Sequence, residues 1–161
     1  MSQHIETTHE PGRHLAVMSF QWSHEDVAEK MAAAFSTVLT HLARVGVRVT
    51  GPAIGHYEKH PDGFTVSAGF VVDEVIEGDD TVRSMTLPPG NVISTLHVGP
   101  YDRLVEAYDG LQGYAAGNHL ALDQHVMWEE YLSEPDADPE LVMTRVTWPA
   151  AHVNLVGSAT L

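Results

Sequence analysis

Two adjacent glutamates stand between aromatic residues in the segment Trp128-Glu129-Glu130-Tyr131. If this segment is a strand, Glu129 and Tyr131 point to one side, and Trp128 and Glu130 point to the other. A sheet with one helix-covered side and one open side would turn one of the two glutamates inward. A carboxylate buried among aromatic rings can attract a flat, apolar cation, or burial can raise its pKa until it serves as a general base. The alternative is a glutamate that faces solvent.

Three more polar side chains lie where a strand turns into a helix. Residues 92–98 alternate apolar and polar side chains, which predicts a strand that contains His97 near its end. A Gly-Pro pair then stops the strand, and Tyr101 and Tyr108 follow on a helix-like apolar pattern. These three side chains are candidates for a cavity at the junction, and ordinary packing is the alternative for each.

Aromatic residues on other predicted strands supply further pocket candidates. These are Tyr57, Phe70 and Trp148. Each could equally be buried in the core, because large aromatic side chains are the usual filling of a protein interior.

The chain has eleven histidines and no cysteine, but no pattern typical of a metal or haem site. His56 and His60 are four residues apart, yet they flank a Pro-Gly turn instead of sharing a helix face. No serine lies in a nucleophile elbow and no glycine loop suits a phosphate. We therefore expect no metal and no cofactor.

The chain is strongly acidic, with 22 Asp and Glu residues against 8 Lys and Arg residues and a formal net charge of −14. This charge repels phosphate backbones, so we expect no direct binding to nucleic acid. It favours cationic ligands or a basic protein partner. No signal peptide and no apolar run of about 18 residues is visible, which predicts no membrane segment. Together with the lack of cysteine, this favours a cytoplasmic location.

The hydrophobic patterns predict an α+β fold in which strand, helix, strand and strand occur twice in that order. The first predicted helix has an apolar stripe from Val27 to Val45 and is closed by Gly46, and the second covers residues 101–116. The predicted strands are residues 13–20, 51–57, 64–72, 92–98, 127–132 and 141–148. The acidic residues 73–80 are interpreted as a linker.

We interpret residues 1–12 as a flexible leader and residues 150–161 as a C-terminal extension. Between them, residues 13–149 have the length of one domain, with a first repeat at residues 13–73 and a second at residues 82–149.

Several motifs in order resemble the GyrI-like small-molecule-binding family, also called the AraC effector-binding domain, a duplicated SHS2 fold that is SOUL-like. They are Leu87-Pro88-Pro89-Gly90, His97-Val98-Gly99-Pro100-Tyr101, Tyr108, Trp128-Glu129-Glu130-Tyr131 and Trp148-Pro149. The resemblance implies two halves related by a pseudo-twofold axis, with an antiparallel sheet flanked by two helices and a ligand groove between the halves. It also implies that Glu129, with Tyr131 beside it, is the glutamate in the groove.

Three functions are compatible with these residues. The first is a stand-alone protein that binds hydrophobic, often cationic aromatic compounds in sensing or resistance. The second, implied by enzymes in the family, is a hydrolase of cyclopropane-bearing genotoxins. In it Glu129 would activate water, and the hydroxyl of Tyr131 or Tyr101 would stabilise the carbonyl that accepts electrons. The third is a protein-interaction module that resembles the gyrase-inhibiting branch. The sequence leaves the ligand and the oligomeric state open.

Overall fold

A computed structural model describes residues 4–134 and 136–153. Its strands form one antiparallel sheet in the order β1-β6-β9-β8-β3-β4-β2-β5, and β7 pairs with β9 off this path. The strands are β1 Ile5–Glu10, β2 His14–Gln21, β3 Val49–His60, β4 Gly63–Val72, β5 Arg83–Thr86, β6 Gly90–Val98, β7 Leu120–Leu122, β8 Val126–Tyr131 and β9 Met143–His152.

Two helices, α1 (Val27–Val45) and α2 (Leu104–Gly117), confirm the predicted α+β class. Gly46 ends α1 with a φ of 76°, and its N–H donates to the carbonyl of Leu42, which is the left-handed ending that glycine permits. The predicted second helix begins with a 3₁₀ turn at Tyr101–Arg103 and becomes α-helical only at Leu104. Neither helix in the described residues is long and apolar enough to cross a membrane.

The two helices pack over different parts of the same face of the sheet. α1 contacts β2 and β4, and α2 contacts β6, β7 and β9. Residues paired across neighbouring strands lie on the same face, and this places Phe70, Ala53, Tyr131 and Thr144 on the face that the helices cover. The central strands β3 and β8 therefore lie between the helices, where the two halves of the chain meet.

The opposite face of the sheet has its own apolar core. Leu15, Ile54, Val92 and Trp128 come from four different strands and belong to one buried cluster. Because β2 and β6 are well separated in the strand order, the sheet must curve around this cluster. Both faces of β8 are consequently covered.

The structure corrects the interpretation of residues 1–12 as a flexible leader. Residues 5–10 form β1, an edge strand paired with β6 along its whole length. Ile5 is its one apolar side chain and packs in the cluster beneath α2. The other side chains of β1 are polar. The backbone hydrogen bonds that pair the strand with β6 leave no hydrophobic pattern in a sequence.

The predicted C-terminal extension is also partly strand. β9 continues through Ala150 to His152, and these residues pair with β7. Residues 154–161 of that extension, like residues 1–3 of the predicted leader, lie outside the described residues. The short strands β5 and β7 were not predicted, because four and three residues are too few to show a period.

Candidate functional site

The two glutamates of β8 lie on opposite faces of the sheet. Glu129 points between the helices and is 2% exposed. Glu130 points into the other side and accepts a hydrogen bond of 2.7 Å from Nη1 of Arg13. The predicted alternation is therefore present, and each carboxylate is buried in a different environment.

Three tyrosine hydroxyls donate to the Glu129 carboxylate from three different elements. Tyr131 on β8 reaches Oε1 at 2.7 Å, and Tyr57 on β3 reaches the same oxygen at 3.4 Å. Tyr108 on α2 donates to Oε2. The oxygens of Tyr57 and Tyr131 are themselves 3.4 Å apart. Both halves of the chain therefore hold this one carboxyl group.

In the described part of the chain, Glu129 has no cationic side chain as a partner. Among the described residues, no Lys or Arg lies within ion-pair distance of it. Burial raises the pKa of the Glu129 carboxyl, and the three tyrosine hydrogen bonds offset part of that increase. Hydrogen bonds of this kind satisfy the oxygens, but they leave the charge itself uncompensated.

The tyrosines act as neutral donors at this site. Burial, followed by the nearby carboxylate, raises the pKa of Tyr57, Tyr108 and Tyr131 above its ordinary value. Each hydroxyl therefore keeps its proton at neutral pH. A phenol that keeps its proton can donate to Glu129 or turn to a ligand without carrying charge.

A cavity of about 1440 Å³ opens above Glu129, between α1 on one side and α2 with its preceding turn on the other. It is larger than the roughly 300–1,000 Å³ of ordinary ligand sites. Its wall is mostly apolar and includes Met31, Phe35, Phe70, Val105 and Met127. The arrangement is a deep apolar space with one buried acid in its floor.

The ring of Tyr101 stands at the mouth of this cavity. Its side chain is 56% exposed, and its ring meets that of Tyr131 edge-on, with centroids 6.1 Å apart at 86°. Phe35 meets the same Tyr131 ring at 6.0 Å and 71°. Aromatic rings therefore line the path from solvent to the carboxylate.

Seven of the eight residues predicted for the site line the cavity. They are Glu129, Tyr131, Tyr101, Tyr108, Tyr57, Phe70 and Trp148. Trp148 also donates its indole N–H to the carbonyl of Asp123 at 2.8 Å.

His97 is not part of the cavity wall. It is buried, and Nε2 lies 3.2 Å from the carbonyl oxygen of Pro100. Its strand register puts it on the helix face of the sheet, and its ring lies against the turn at Gly99-Pro100. Any positive charge on His97 would lower the pKa of Glu129, so its influence is electrostatic.

The sequence did not identify the α1 side of the cavity. Met31, Phe35 and Leu39 line it, but their helical spacing is the same as that of residues packed in a core. The sequence also gave no role to Gly55, whose position opposite Glu129 keeps space open. A Cβ there would lie 2.7 Å from the hydroxyl oxygen of Tyr131.

Neither His56 nor His60 is part of the cavity wall. His56 lies on the other face, where its ring stacks on Trp128 at 6.4 Å and 15°, and burial lowers its pKa. Within the described residues, no three His, Asp or Glu side chains are placed to hold a metal ion.

Comparison with known proteins places this chain in a family. The sequence model of the GyrI-like small molecule binding domain matches residues 46–151, which is most of the chain, so the chain belongs to that family. The resemblance predicted from the motifs is confirmed. The sequence matches none of the curated proteins with which it was compared.

Solved structures share the fold. The C-terminal domain of EcmrR superposes with a TM-score of 0.72 at 18% identity, covering 95% of this chain and 100% of that domain. In the EcmrR–DNA complex this chain spans only 58% of the EcmrR chain, with a TM-score of 0.75 and 17% identity over 94% of this chain.

Two further structures also resemble it across nearly their whole length. A hydrolase encoded by lin2189 of Listeria innocua has a TM-score of 0.65 and 14% identity, covering 93% of both chains. SAV2435 bound to tetraphenylphosphonium has a TM-score of 0.58 and 11% identity, covering 96% of both chains. At these identities the likeness establishes the fold and no more.

Proposed function

We propose that this protein binds hydrophobic, often cationic aromatic compounds in the cavity above Glu129, in a sensing or resistance role. One observation carries the proposal: a buried carboxylate, held by three neutral phenols, lies in the floor of a large apolar cavity and has no Lys or Arg partner among the residues that the structure describes. A cation with apolar rings supplies the missing charge and fills the space.

The physics favours a large, weakly hydrated cation over a small one. Desolvating a compact ammonium is expensive, whereas a delocalised or shielded cation enters an apolar cavity more easily. The rings of Tyr101, Tyr131 and Phe35 present faces and edges to such a ligand, which adds cation–π and stacking contacts. SAV2435, which shares the fold, was solved with tetraphenylphosphonium, a cation of this kind.

The surface charge supports the same ligand class. Asp102, Asp123 and Glu134 line the cavity, and the whole chain carries a formal charge of −14. An acidic surface concentrates cations near the entrance and repels phosphate backbones. We infer a small-molecule ligand, no direct contact with nucleic acid and a cytoplasmic location.

Replacing Glu129 by glutamine tests the proposal. Glu129→Gln keeps the shape and one oxygen that accepts from tyrosine hydroxyls, and its amide N–H group can donate to the oxygen of the remaining tyrosine, but the charge is removed. We expect the affinity for a cationic rhodamine dye, measured by fluorescence titration, to fall by a hundredfold or more, corresponding to about 3 kcal/mol. The melting temperature should change by only a few degrees.

Glu134→Gln is the matched control. It removes the same charge from an exposed residue that lines the same cavity, and we expect a change of less than about threefold, as for exposed charge pairs. If Glu129→Gln binds the dye as tightly as the unmodified chain, the buried carboxylate is not the anchor and the proposal fails.

A second candidate is hydrolysis of a cyclopropane-bearing compound. It is favoured by the raised pKa of Glu129 and by the hydroxyl of Tyr131, 2.7 Å from its carboxylate. Glu129 would take a proton from water as the water oxygen bonds to a ring carbon. The broken carbon–carbon bond would release its electron pair towards a conjugated carbonyl, stabilised by a tyrosine O–H.

The hydrogen-bond pattern ranks binding first. Three hydroxyls already donate to Glu129, so only about one of the four acceptor positions of the carboxylate is left for a water. Chromatography of a cyclopropane-bearing DNA alkylator incubated with the protein separates the two functions. A product heavier by one water that is absent with Glu129→Gln indicates an enzyme, and unchanged compound held in a complex indicates a binding protein. A protein-interaction module, the third function compatible with the sequence, would not depend on the Glu129 carboxylate.

A further inference from the structure

The cavity is too long for one compact ring system centred on Glu129. Its lining residues on α1 run from Val27 to Leu39, and these twelve residue steps span roughly 18 Å of helix. Its lining residues on β3 run from Pro52 to Lys59, and these seven residue steps span roughly 23 Å of strand. Two elements thus give similar lengths independently.

The end of the cavity away from Tyr131 has its own set of side chains. Phe64 pairs with Lys59 in the β3–β4 register, and the N–H of Trp22 donates to the carbonyl of Phe64 at 2.9 Å. The rings of Trp22 and Phe64 meet edge-on, with centroids 6.3 Å apart at 71°. All three residues line the cavity.

The rings at this end are not closed off by the protein. Trp22 is 41% exposed and Phe64 is 40% exposed, which leaves aromatic surface facing the cavity. Lys59 is the one Lys or Arg among the described residues that line it, and the structure gives it no ion pair within the described part of the chain. Its ammonium disfavours a second cationic group and can donate to a neutral oxygen.

The distance between the two ends follows from the register. Glu129 pairs with Gly55, and Lys59 lies four residues further along β3 on the same face, roughly 13 Å away. Tyr57 lies between them, also on that face. The floor of the cavity is therefore continuous from the carboxylate to the Trp22–Phe64 pair.

We infer that Trp22, Phe64 and Lys59 form a second subsite, which takes the aromatic far end of an elongated amphiphilic cation whose charged end lies at Glu129. The ligand class is thus a monocation in which about 13 Å separate the charged head from a ring at the other end. This rests on the proposed function, because Glu129 must hold the charged end.

A series of triphenylphosphonium ions tests the subsite. Each ion carries an alkyl chain of two to twelve carbons that ends either in a methyl or in a phenyl group, and each displaces a bound rhodamine dye. We expect no phenyl advantage with two to four carbons. With about ten carbons, which span roughly 13 Å, the phenyl-ended ion should bind about fivefold tighter than its methyl-ended match.

Variants then locate the advantage. Trp22→Ala should abolish the phenyl advantage of the ten-carbon ion, and the two-carbon ion should bind as in the unmodified chain. Phe64→Leu, a milder change, should at least halve the advantage. Val45→Ala is the control, because Val45 is as exposed as Trp22 but does not line the cavity, and it should leave the advantage intact.

The outcomes separate this inference from the proposed function. A phenyl advantage that is equal at every chain length, or that survives both Trp22→Ala and Phe64→Leu, overturns the subsite. Failure of the two-carbon ion to bind, or equal binding of it by Glu129→Gln, overturns the proposed function instead.

Discussion

Binding of a permanent cation at Glu129 should release a proton from the protein. Burial raises the pKa of this carboxyl above its ordinary value of 4.5, so a fraction of the unliganded protein carries a neutral Glu129 in the pH range just above that value. The cation binds the carboxylate form. The apparent affinity should therefore fall as the pH falls through the raised pKa, with a limiting slope of tenfold per pH unit, because one carboxyl exchanges one proton.

Few other groups can contribute to this slope. The pKa values of Tyr57, Tyr108 and Tyr131 are all raised, so none of these hydroxyls ionises near neutral pH. His97 is the remaining side chain whose charge acts on Glu129, and His125 lines the cavity. A positive charge on either imidazole would repel a cation, so His97→Gln and His125→Gln variants separate these contributions from that of Glu129.

Tetraphenylphosphonium is the suitable ligand, because it has no titratable group. Calorimetric titrations from about pH 5 to about pH 8, in two buffers with different heats of ionisation, give both the affinity and the number of protons released. The affinity of the unmodified chain should rise with pH and then level off, and that of Glu129→Gln should be low and independent of pH. A flat profile without proton release in the unmodified chain would refute the reasoning.

The stability of the unliganded protein has the corresponding pH dependence. A carboxyl whose pKa is higher in the folded than in the unfolded chain contributes stability that is complete below the unfolded value of 4.5 and is lost as the pH rises through the folded value. Glu129→Gln lacks this contribution. Denaturant unfolding should therefore show the unmodified chain losing stability relative to Glu129→Gln as the pH rises.

Two further substitutions test the roles of the neighbours. Glu130→Gln removes the negative charge that pairs with Arg13 at 2.7 Å on the other face. It should lower the free energy of unfolding by about 2 kcal/mol, measured with denaturant, and leave cation affinity unchanged; a loss of affinity without a loss of stability would contradict the assignment of the two faces. Gly55→Ala places a Cβ 2.7 Å from the hydroxyl oxygen of Tyr131 and should displace that donor from Glu129. The pH midpoint of binding should then move upward, because a hydrogen bond that lowers the Glu129 pKa is lost, and an unmoved midpoint would show that Tyr131 does not tune the carboxyl.

Elements with a local period were predictable from the sequence. The stripe of α1, its glycine ending and the alternation in β8 all come from residues close together in the chain, whose side chains repeat with the helix or strand period. Tyr57, Phe70 and Trp148 are cavity candidates by their strands, with core burial as the alternative, and all three line the cavity. For these residues to line one cavity, the strands of both halves only had to present them on the same side of the sheet.

Features that depend on distant pairing were not predictable. β1 is held by hydrogen bonds to β6, about 85 residues later in the chain, and most of its side chains are polar. On α1, Met31 and Phe35 have the spacing of core residues. Whether they pack in a core or border a cavity depends on where α2 lies. His97 is the opposite case. It was a candidate for the cavity, but its ring lies against the turn that follows it and is not part of the cavity wall.

The choice between Glu129 and Glu130 also depends on a distant residue. Alternation makes the two carboxylates equivalent until Arg13, 117 positions away from Glu130, supplies a cation on one face only. The other face offers phenols, which satisfy the oxygens of Glu129 without neutralising its charge. Because an uncompensated buried carboxylate destabilises the fold, a cation that binds it should stabilise the protein by more than its apolar contacts alone. Within the described residues, the lack of a basic partner at Glu129 is thus what distinguishes the proposed ligand site on this face from the structural core on the opposite face.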